Sequence, residues 1–364
     1  MNVDDLDTPA LVVDLDVVEA NITAMADLAR SAGVRLRPHT KTHKMPDLAR
    51  AQVAAGAAGI TCAKVGEAEV MVAAGLDDVL IAFPLVGPAK LARLAALRDR
   101  ARILVALDSF EVAEGLARVG AASGDPLEVF VEVDTGHHRA GLAPGEATAQ
   151  LAARVAELRG VRVVGLLTFA GHAYAARSRA ERAAVVAREG EDLAATVVAC
   201  AARGVAIHEL SVGSTPGVGF EARVAGVTEV RPGTYIFNDT TMIDLGVATE
   251  ATCAATVRAT VVARPAPDRF VVDAGTKSLT SDGVGRPGWI RVAGRDDLSI
   301  SFLTEEHGVG AIDRALGGHL AIGDTLSLIP SHVCPVVNLF DVAYGVREGV
   351  VVDELAVAGR GRSR

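Results

Sequence analysis

Short runs of β-branched and other apolar residues alternate with longer helical stretches from about residue 10 to residue 240. The runs are typical of buried parallel strands, and the Ala-, Leu- and Arg-rich stretches between them have the period of covering helices. Repeated β–α units of this kind form α/β folds. We place the strands at 10–14, 35–38, 59–62, 79–82, 102–106, 127–133, 162–168 and 207–212. Eight strands over this length predict a closed (β/α)8 barrel rather than an open doubly wound sheet.

The pattern changes after about residue 245. Strand-like runs such as LSISFLT and TLSLIP are broken by Gly, Pro and Asp, and no long helical stretch follows. This pattern predicts a second, mostly β domain that starts there.

Charge and composition exclude several function classes. The chain has 36 basic and 45 acidic side chains and a net charge of −9, whereas nucleic-acid binding needs clustered positive charge. No apolar run approaches the roughly 20 residues of a membrane-spanning helix. The start, MNVDDLDTPA, lacks the basic and apolar segments of a signal peptide, and the cysteines are widely spaced. We therefore expect a cytoplasmic protein with reduced thiols and without nucleic-acid or membrane partners.

The segment LRPHTKTHK, residues 36–44, carries two of the five lysines in a chain that has 31 arginines. Because this chain uses Arg for generic positive charge, two lysines in one turn indicate amine chemistry. Lys forms Schiff bases when its pKa is lowered, whereas a guanidinium stays protonated. Lys41 follows a predicted barrel strand, where barrel enzymes keep catalytic groups, and His39 and His43 lie beside it. A solvated basic loop is the alternative, and the position after a strand favours a catalytic lysine.

Three polar clusters follow other predicted strands: EVDTGHHRAG at 132–141, TFAGHAY at 168–174 and SVGSTPG at 211–217. Barrel geometry brings such segments to one rim. In SVGSTPG, small residues let backbone N–H groups approach an anion, and the Ser214 and Thr215 hydroxyls add donors. Arg139 could hold an anion or a phenolate-type oxygen, or form a surface salt bridge. His172 could stack on a planar ring or be a capped histidine at the rim.

The predicted β domain contains PSHVCPVVNLFD, residues 330–341. On an extended strand, residues i and i+2 point the same way, so we expect His332 and Cys334 to present an imidazole and a thiolate together. That pair suits Zn²⁺ with positions open for water or substrate, although a bare H-x-C also occurs by chance. TEEHG, at 304–308, could supply another ligand or an outer carboxylate. DAGTK, at 273–277, is explained more simply as a turn after a strand.

The order of DTPALVVD, RPHTKTHK, VDTGHHRAG, GSTPG, RPGTYIFND, DAGTK, EEHG and SHVCPVVNLFD resembles the D-threonine aldolase and D-serine dehydratase family. These are alanine-racemase-like enzymes that use pyridoxal 5'-phosphate (PLP), and the similarity covers nearly the whole chain. The resemblance implies a barrel over 10–245, a β domain over 246–364 joined by residues 1–9, and a homodimer. It makes Lys41 the lysine that forms a Schiff base with PLP, Lys44 being the poorer candidate. It implies three further sets of residues. His332 and Cys334 would bind a divalent metal, and His172 and Tyr235 would act in catalysis, Tyr235 also lying near PLP. The other residues at the cofactor would be His39, Arg139, Tyr174, Gly213, Ser214 and Thr215.

The resemblance also favours one reaction over another. Aldolase members typically pair the metal-binding His with Asp, whereas dehydratase members use His-x-Cys, as this chain does. We therefore favour α,β-elimination of a D-serine-type substrate to a keto acid and ammonia, with Zn²⁺ preferred to Mn²⁺ or Mg²⁺ by the thiolate. Retro-aldol cleavage of a D-threonine-type substrate to glycine and an aldehyde remains the alternative, with His172 or metal-bound water as base. An amino-acid racemase and a non-catalytic PLP-binding protein are less favoured.

One position departs from the commoner family pattern. Ala170 in TFAGHAY stands where other members carry a polar residue. The β-substituent of the D-amino acid substrate therefore stays open at the level of sequence.

Overall fold

A computed structural model describes residues 1–283, 288–316 and 319–364 of the chain. The chain forms two compact units, which we call the barrel unit and the β unit. The barrel unit comprises Ala24–Lys41, Pro46–Gly233 and Arg362–Arg364, and the β unit comprises Met1–Thr23, Thr42–Met45 and Thr234–Gly361. Residues 10–23, 42–45 and 234–245, which we expected in the barrel, thus belong to the β unit. Residues 362–364, which we expected in the β domain, belong to the barrel unit. No helix in these described ranges is long and apolar enough to cross a membrane.

Strands and helices are numbered along the chain. The strands are β1 (Ala10–Asp14), β2 (Arg35–Leu36), β3 (Ile60–Cys62), β4 (Asp78–Ile81), β5 (Arg102–Leu107), β6 (Leu127–Val133), β7 (Val161–Thr168), β8 (Glu209–Val212), β9 (Glu229–Val230), β10 (Ala255–Ala266), β11 (Arg269–Val272), β12 (Arg291–Val292), β13 (Leu298–Leu303), β14 (Gly308–Ile312), β15 (Thr325–Ile329), β16 (Val342–Arg347) and β17 (Val350–Ala356). The α-helices are α1 (Leu15–Ala32), α2 (Pro46–Ala54), α3 (Val65–Ala73), α4 (Pro88–Arg98), α5 (Phe110–Ser123), α6 (Glu146–Ala156), α7 (Arg179–Ala202), α8 (Val218–Glu221), α9 (Thr240–Asp244), α10 (Thr276–Leu279) and α11 (Val333–Val337). Short 3-10 turns lie at Val3–Asp5, Gly171–Ala175, Thr234–Ile236, Glu250–Thr252 and Arg314–Leu316.

The barrel unit is a ring of eight parallel strands in the order β2-β9-β8-β7-β6-β5-β4-β3. A parallel bridge between His39 and Thr61 joins the segment after β2 to β3 and closes the ring. Its apolar core contains the buried side chains of Leu80, Leu104, Ala106, Phe130, Val164 and Leu167. The predicted α/β fold, an N-terminal (β/α)8 barrel with a C-terminal mostly-β domain, is confirmed.

Local signals set the ends of the covering helices. Ser178 precedes α7, and its side chain accepts a hydrogen bond from the Glu181 N–H, as an N-cap residue does. Helix α5 ends at Gly124, whose φ of +74° is the left-handed conformation that glycine adopts at low cost.

The β unit contains a nine-stranded sheet in the order β11-β14-β13-β12-β15-β10-β1-β16-β17. Neighbouring strands are antiparallel except β1 and β16, which are parallel. The prediction that residues 10–14 form a barrel strand is therefore wrong, because β1 lies in this sheet between β10 and β16. The eighth barrel strand is instead β9, whose two residues are too few to give a readable periodicity.

Candidate active site

Lys41 lies just past β2, at the end of the barrel where the strands have their carboxyl termini. Its backbone N–H donates to Nδ1 of His39 at 3.3 Å. His39 is itself held by a hydrogen bond from its backbone N–H to the Pro232 carbonyl at 3.0 Å. The turn that carries the partly buried Lys41 side chain is thus fixed to the loop after β9. This is the strand-end position that the sequence predicted for a catalytic lysine.

The Phe169 ring, directly after β7, lies at the centre of a group of site residues. Nζ of Lys41 lies 5.5 Å from its centroid, and the Arg139 guanidinium carbon lies 4.9 Å from it. The Tyr174 ring is tilted against Phe169 at a centroid distance of 6.5 Å, and the His137 ring meets its edge at 5.3 Å. The structure therefore brings the predicted residues Lys41, Arg139 and Tyr174 to one aromatic surface. Sequence reasoning had missed Phe169, although it lies within TFAGHAY.

His172 presents a polar atom that lacks a partner. Its Nδ1 is buried and has no hydrogen-bond partner within the part of the chain that the structure describes. Burial also lowers the pKa of His172, which favours a neutral imidazole. A Cβ on Gly136 would lie 3.3 Å from Cε1 of His172, so the ring packs closely over that glycine. An unpaired buried nitrogen is costly, and a bound polar group would offset that cost.

The SVGSTPG turn follows β8 and has a conformation that requires glycine. Gly213 has a φ of +137°, and a Cβ there would lie 2.5 Å from the backbone N of Arg231. Ser214 differs from our expectation of free donors, because its N–H and its hydroxyl both donate to the Glu221 carboxylate at 3.0 Å. The Gly217 N–H donates to Ser214 Oγ at 3.1 Å, which closes the turn. Thr215, the next residue after Ser214, is buried.

A buried charge cluster beneath this turn escaped the sequence analysis. The Arg231 guanidinium donates to Ser211 Oγ at 2.6 Å and to the Thr168 carbonyl at 2.7 Å. Glu221 and Glu189 are buried beside it, and burial raises the pKa of Glu221 to about 7 and that of Glu189 well above its usual range. Arg231 directly follows β9, a two-residue strand that the sequence did not predict. Without that strand, nothing in the sequence placed Arg231 at the end of a barrel strand.

The predicted metal pair lies in the β unit at the start of helix α11. His332 is the residue before this helix and Cys334 lies in its first turn, so the expectation of an extended strand is wrong. The Val333 N–H donates to the Asp239 carboxylate at 3.1 Å, and Pro335 is tolerated in a first helical turn. The two side chains nevertheless meet, because a hydrogen bond joins His332 and Cys334.

Other polar groups of the β unit surround this pair. Asp282 Oδ2 lies 3.0 Å from Nδ1 of His332, and the Cys334 thiol donates to Oγ1 of Thr42 at 3.3 Å. Burial lowers the pKa of His332, but the Cys334 and Asp282 contacts outweigh it and raise that pKa to about 9. No group of three His, Cys, Asp or Glu side chains suited to a metal occurs in residues 1–283, 288–316 and 319–364.

The other candidate residues have the following contacts in the structure. TEEHG forms an exposed turn between β13 and β14, where Glu306 accepts a hydrogen bond from Lys277 of DAGTK at 2.6 Å. Nζ of Lys44 donates to Oδ1 of Asn338 at 2.9 Å.

Tyr235 lies in the 3-10 turn Thr234–Ile236 and is 4% exposed. Its proposed role near the cofactor stays a prediction.

Comparisons with known proteins show which family the chain is similar to. A family model described as the N-terminal domain of alanine racemase matches residues 13–241, and one described as a putative serine dehydratase domain matches residues 254–346. The chain is 38% identical over 363 residues to a D-threonine aldolase from Arthrobacter sp., covering 99% of this chain and 94% of that protein.

Solved structures of an aldolase and of a dehydratase are also similar to this chain. The crystal structure of D-threonine aldolase from Filomicrobium marinum has a TM-score of 0.93 and 36% identity, over 99% of this chain and 98% of that one. D-threo-3-hydroxyaspartate dehydratase from Delftia sp. HT23 has a TM-score of 0.88 and 32% identity, over 98% of each chain. A cysteine-to-alanine variant of D-threo-3-hydroxyaspartate dehydratase is described as being in the metal-free form.

Proposed function

This chain belongs to the alanine-racemase-like family of PLP-dependent enzymes that includes D-threonine aldolase and D-threo-3-hydroxyaspartate dehydratase, and we propose that it is a PLP- and divalent-metal-dependent lyase of D-β-hydroxy-α-amino acids. The observation that carries the proposal is the group around Phe169, where Lys41 and Arg139 approach one ring at the carboxyl end of the barrel. We also expect a cytoplasmic homodimer that acts on a small D-amino acid.

The residues of the barrel unit fit PLP. Lys41 would bind its aldehyde carbon covalently, Arg139 would hold the ring oxygen, and His172 offers its unpaired Nδ1. The glycine turn that begins at Gly213 is the cradle for the phosphate, and His39 fixes the turn that carries Lys41. When bound, PLP supplies the electron sink for carbanion chemistry at Cα.

The chain's own groups would then move protons. Lys41 would be the base that removes the α-proton of the substrate for elimination. The neutral imidazole of His172 can accept a proton from a β-hydroxyl group for aldol cleavage, and its pKa, lowered by burial, suits a base. Tyr174 and Tyr235 would complete the surroundings of the cofactor.

His332 and Cys334 fit a divalent metal that would act as a Lewis acid on the β-hydroxyl group. The thiolate favours Zn²⁺ over Mn²⁺ or Mg²⁺, and Asp282 orients the imidazole through Nδ1 so that Nε2 is left for the metal. Cys334 favours elimination, because the dehydratase members that this chain resembles pair the metal-binding His with Cys, and a cysteine-to-alanine variant of D-threo-3-hydroxyaspartate dehydratase is described in the metal-free form. We therefore propose α,β-elimination to a keto acid and ammonia as the principal reaction.

D-threonine aldolase activity is the second candidate. It is favoured by the 38% identity to the Arthrobacter aldolase over nearly the whole of both chains. Elimination and retro-aldol cleavage would share the lysine, cofactor and metal residues, and they would differ in the base, Lys41 or His172, and in the first bond to Cα that breaks.

Product analysis tests the proposal. The purified protein, loaded with PLP and Zn²⁺, is incubated with D- and L-serine, threonine and 3-hydroxyaspartate. We expect a keto acid and ammonia from a D-substrate. Glycine with an aldehyde would establish the aldolase instead, and the mirror-image amino acid would establish a racemase and contradict both lyase assignments.

A further inference from the structure

Glu221 is a buried carboxyl group that the proposed reaction does not use. It is the last residue of the short helix α8 and is fully buried. Its two oxygens accept both donors of Ser214, the backbone N–H and the hydroxyl, each at 3.0 Å. Ser214 Oγ in turn accepts the Gly217 N–H at 3.1 Å. One carboxyl group therefore fixes the turn 213–217 from its inner side.

This contact explains why Ser214 does not offer free donors at the predicted phosphate cradle. With its N–H and hydroxyl bound to Glu221, Ser214 supports the turn, and contact with a phosphate would fall to the other groups of the cradle. A Cβ on Gly217 would lie 2.4 Å from Oε1 of Glu221, so the carboxyl group also packs tightly against the glycine that ends the turn. The close approach leaves the turn little freedom to shift.

Charge in the cluster is compatible with an anion nearby. Glu189 and the Arg231 guanidinium are buried beside Glu221, and burial raises the pKa of Glu221 to about 7. The Arg231 guanidinium offsets the negative charge of the carboxyl groups around it.

We infer that Glu221 is a positioning residue that holds the turn 213–217 in the shape that binds the phosphate of PLP. The inference rests on the proposed function, since it takes this turn as the phosphate cradle. Its specific consequence is that Glu221 contributes to the binding of PLP but not to the binding of pyridoxal, which lacks the phosphate.

Equilibrium titrations of the apoprotein with PLP and with pyridoxal, followed by absorbance, give the ratio of the two dissociation constants. We expect Glu221→Ala to reduce the preference for PLP about tenfold, the effect of losing two hydrogen bonds that order the turn. Unchanged pyridoxal binding would show that the barrel of the variant is folded. Glu189→Gln is the matched control, because Glu189 is equally buried in the cluster but forms no hydrogen bond to the turn in the described residues.

A double-mutant cycle gives a second measurement. If Glu221 acts through Ser214, the effects of Glu221→Gln and Ser214→Ala on the PLP preference are not additive. An unchanged preference in Glu221→Ala, or an equal loss of both ligands, would overturn the inference while leaving the proposed lyase intact. A wild-type protein that binds neither PLP nor pyridoxal would overturn both.

Discussion

At the level of single residues, the two lysines of LRPHTKTHK have different surroundings. Lys41 approaches the Phe169 ring beside Arg139, whereas the Lys44 amine donates to Asn338 at 2.9 Å. We expect Lys41→Ala to abolish turnover and the visible absorbance of lysine-bound PLP, and Lys44→Ala to keep that absorbance. Borohydride reduction followed by peptide mapping identifies the modified lysine. A modified Lys44 in the wild-type protein would contradict the assignment.

The glycine at the start of the predicted phosphate cradle gives a second test. Gly213→Ala would place a Cβ 2.5 Å from the Arg231 backbone N at a φ of +137°. Such strain costs about 1–3 kcal/mol, so we expect PLP affinity to fall by roughly fivefold or more. Gly219→Ala is the control, since a Cβ at Gly219 has no atom within 4 Å. Equal PLP affinity in the two variants, measured by absorbance titration, would show that the phosphate binds elsewhere.

Scarcity and position were the sequence signals for single residues, and the roles they indicate stay predictions. The shortage of lysines and the position after a strand pointed to Lys41, and the polar cluster after β6 pointed to Arg139. Glu221 and Arg231 gave no such signal, because only their contacts, with Ser214 and with the Thr168 carbonyl, distinguish them from other charged residues. From the sequence alone, a buried acidic residue in a helix cannot be distinguished from an exposed one.

At the level of elements, helix α11 is fixed by contacts at both ends. Asp239 accepts the Val333 N–H at its start, a contact 94 residues apart in the chain that no local pattern announces. At its end, Asn338 Oδ1 accepts hydrogen bonds from the Lys44 amine at 2.9 Å and from the Gly361 N–H at 3.1 Å. The second lysine of the motif and the C-terminal segment therefore hold the helix that carries Cys334.

Removing that anchor should weaken the β unit. Asn338→Ala loses two side-chain hydrogen bonds, and we expect the free energy of unfolding in urea to fall by about 1–3 kcal/mol and Zn²⁺ affinity to fall with it. Asp341→Ala is the control, because its ion pair with Arg360 is exposed and contributes less than about 1 kcal/mol. Equal stability of the two variants would show that Asn338 does not anchor the helix.

At the level of the whole molecule, the predicted number of barrel strands, eight, was right, although one of the eight predicted strands was wrong. The run at 10–14 was counted for the barrel but pairs with β10 and β16, and β9 was missed. Periodicity reports burial on one or both faces of a strand, but it does not identify the strand's neighbours. Closure of the ring depends on the bridge between His39 and Thr61, a long-range contact that no local pattern contains.

The residues proposed for the cofactor and for the metal lie in different units, Lys41 in the barrel unit and the His332–Cys334 pair in the β unit. We expect a chelator to leave the visible absorbance of lysine-bound PLP nearly intact and to abolish lyase activity, since loss of a poor β-hydroxyl leaving group needs a Lewis acid. Added Zn²⁺ should restore activity. His332→Ala and Cys334→Ala should behave like the chelated enzyme.

Substitution of the thiolate tests the metal assignment most directly. Cys334→Asp replaces a soft ligand by a hard one, so we expect metal preference to move from Zn²⁺ towards Mn²⁺ and the ratio of aldol cleavage to elimination to rise. Cys253→Ala is the matched control in the same unit, because burial raises the pKa of the Cys253 thiol to about 12 and leaves it a poor ligand. Its metal content, measured by atomic absorption, should equal that of the wild type. Full lyase activity in a sample that atomic absorption shows to be metal-free would refute the role of His332 and Cys334 and favour a racemase over both lyases.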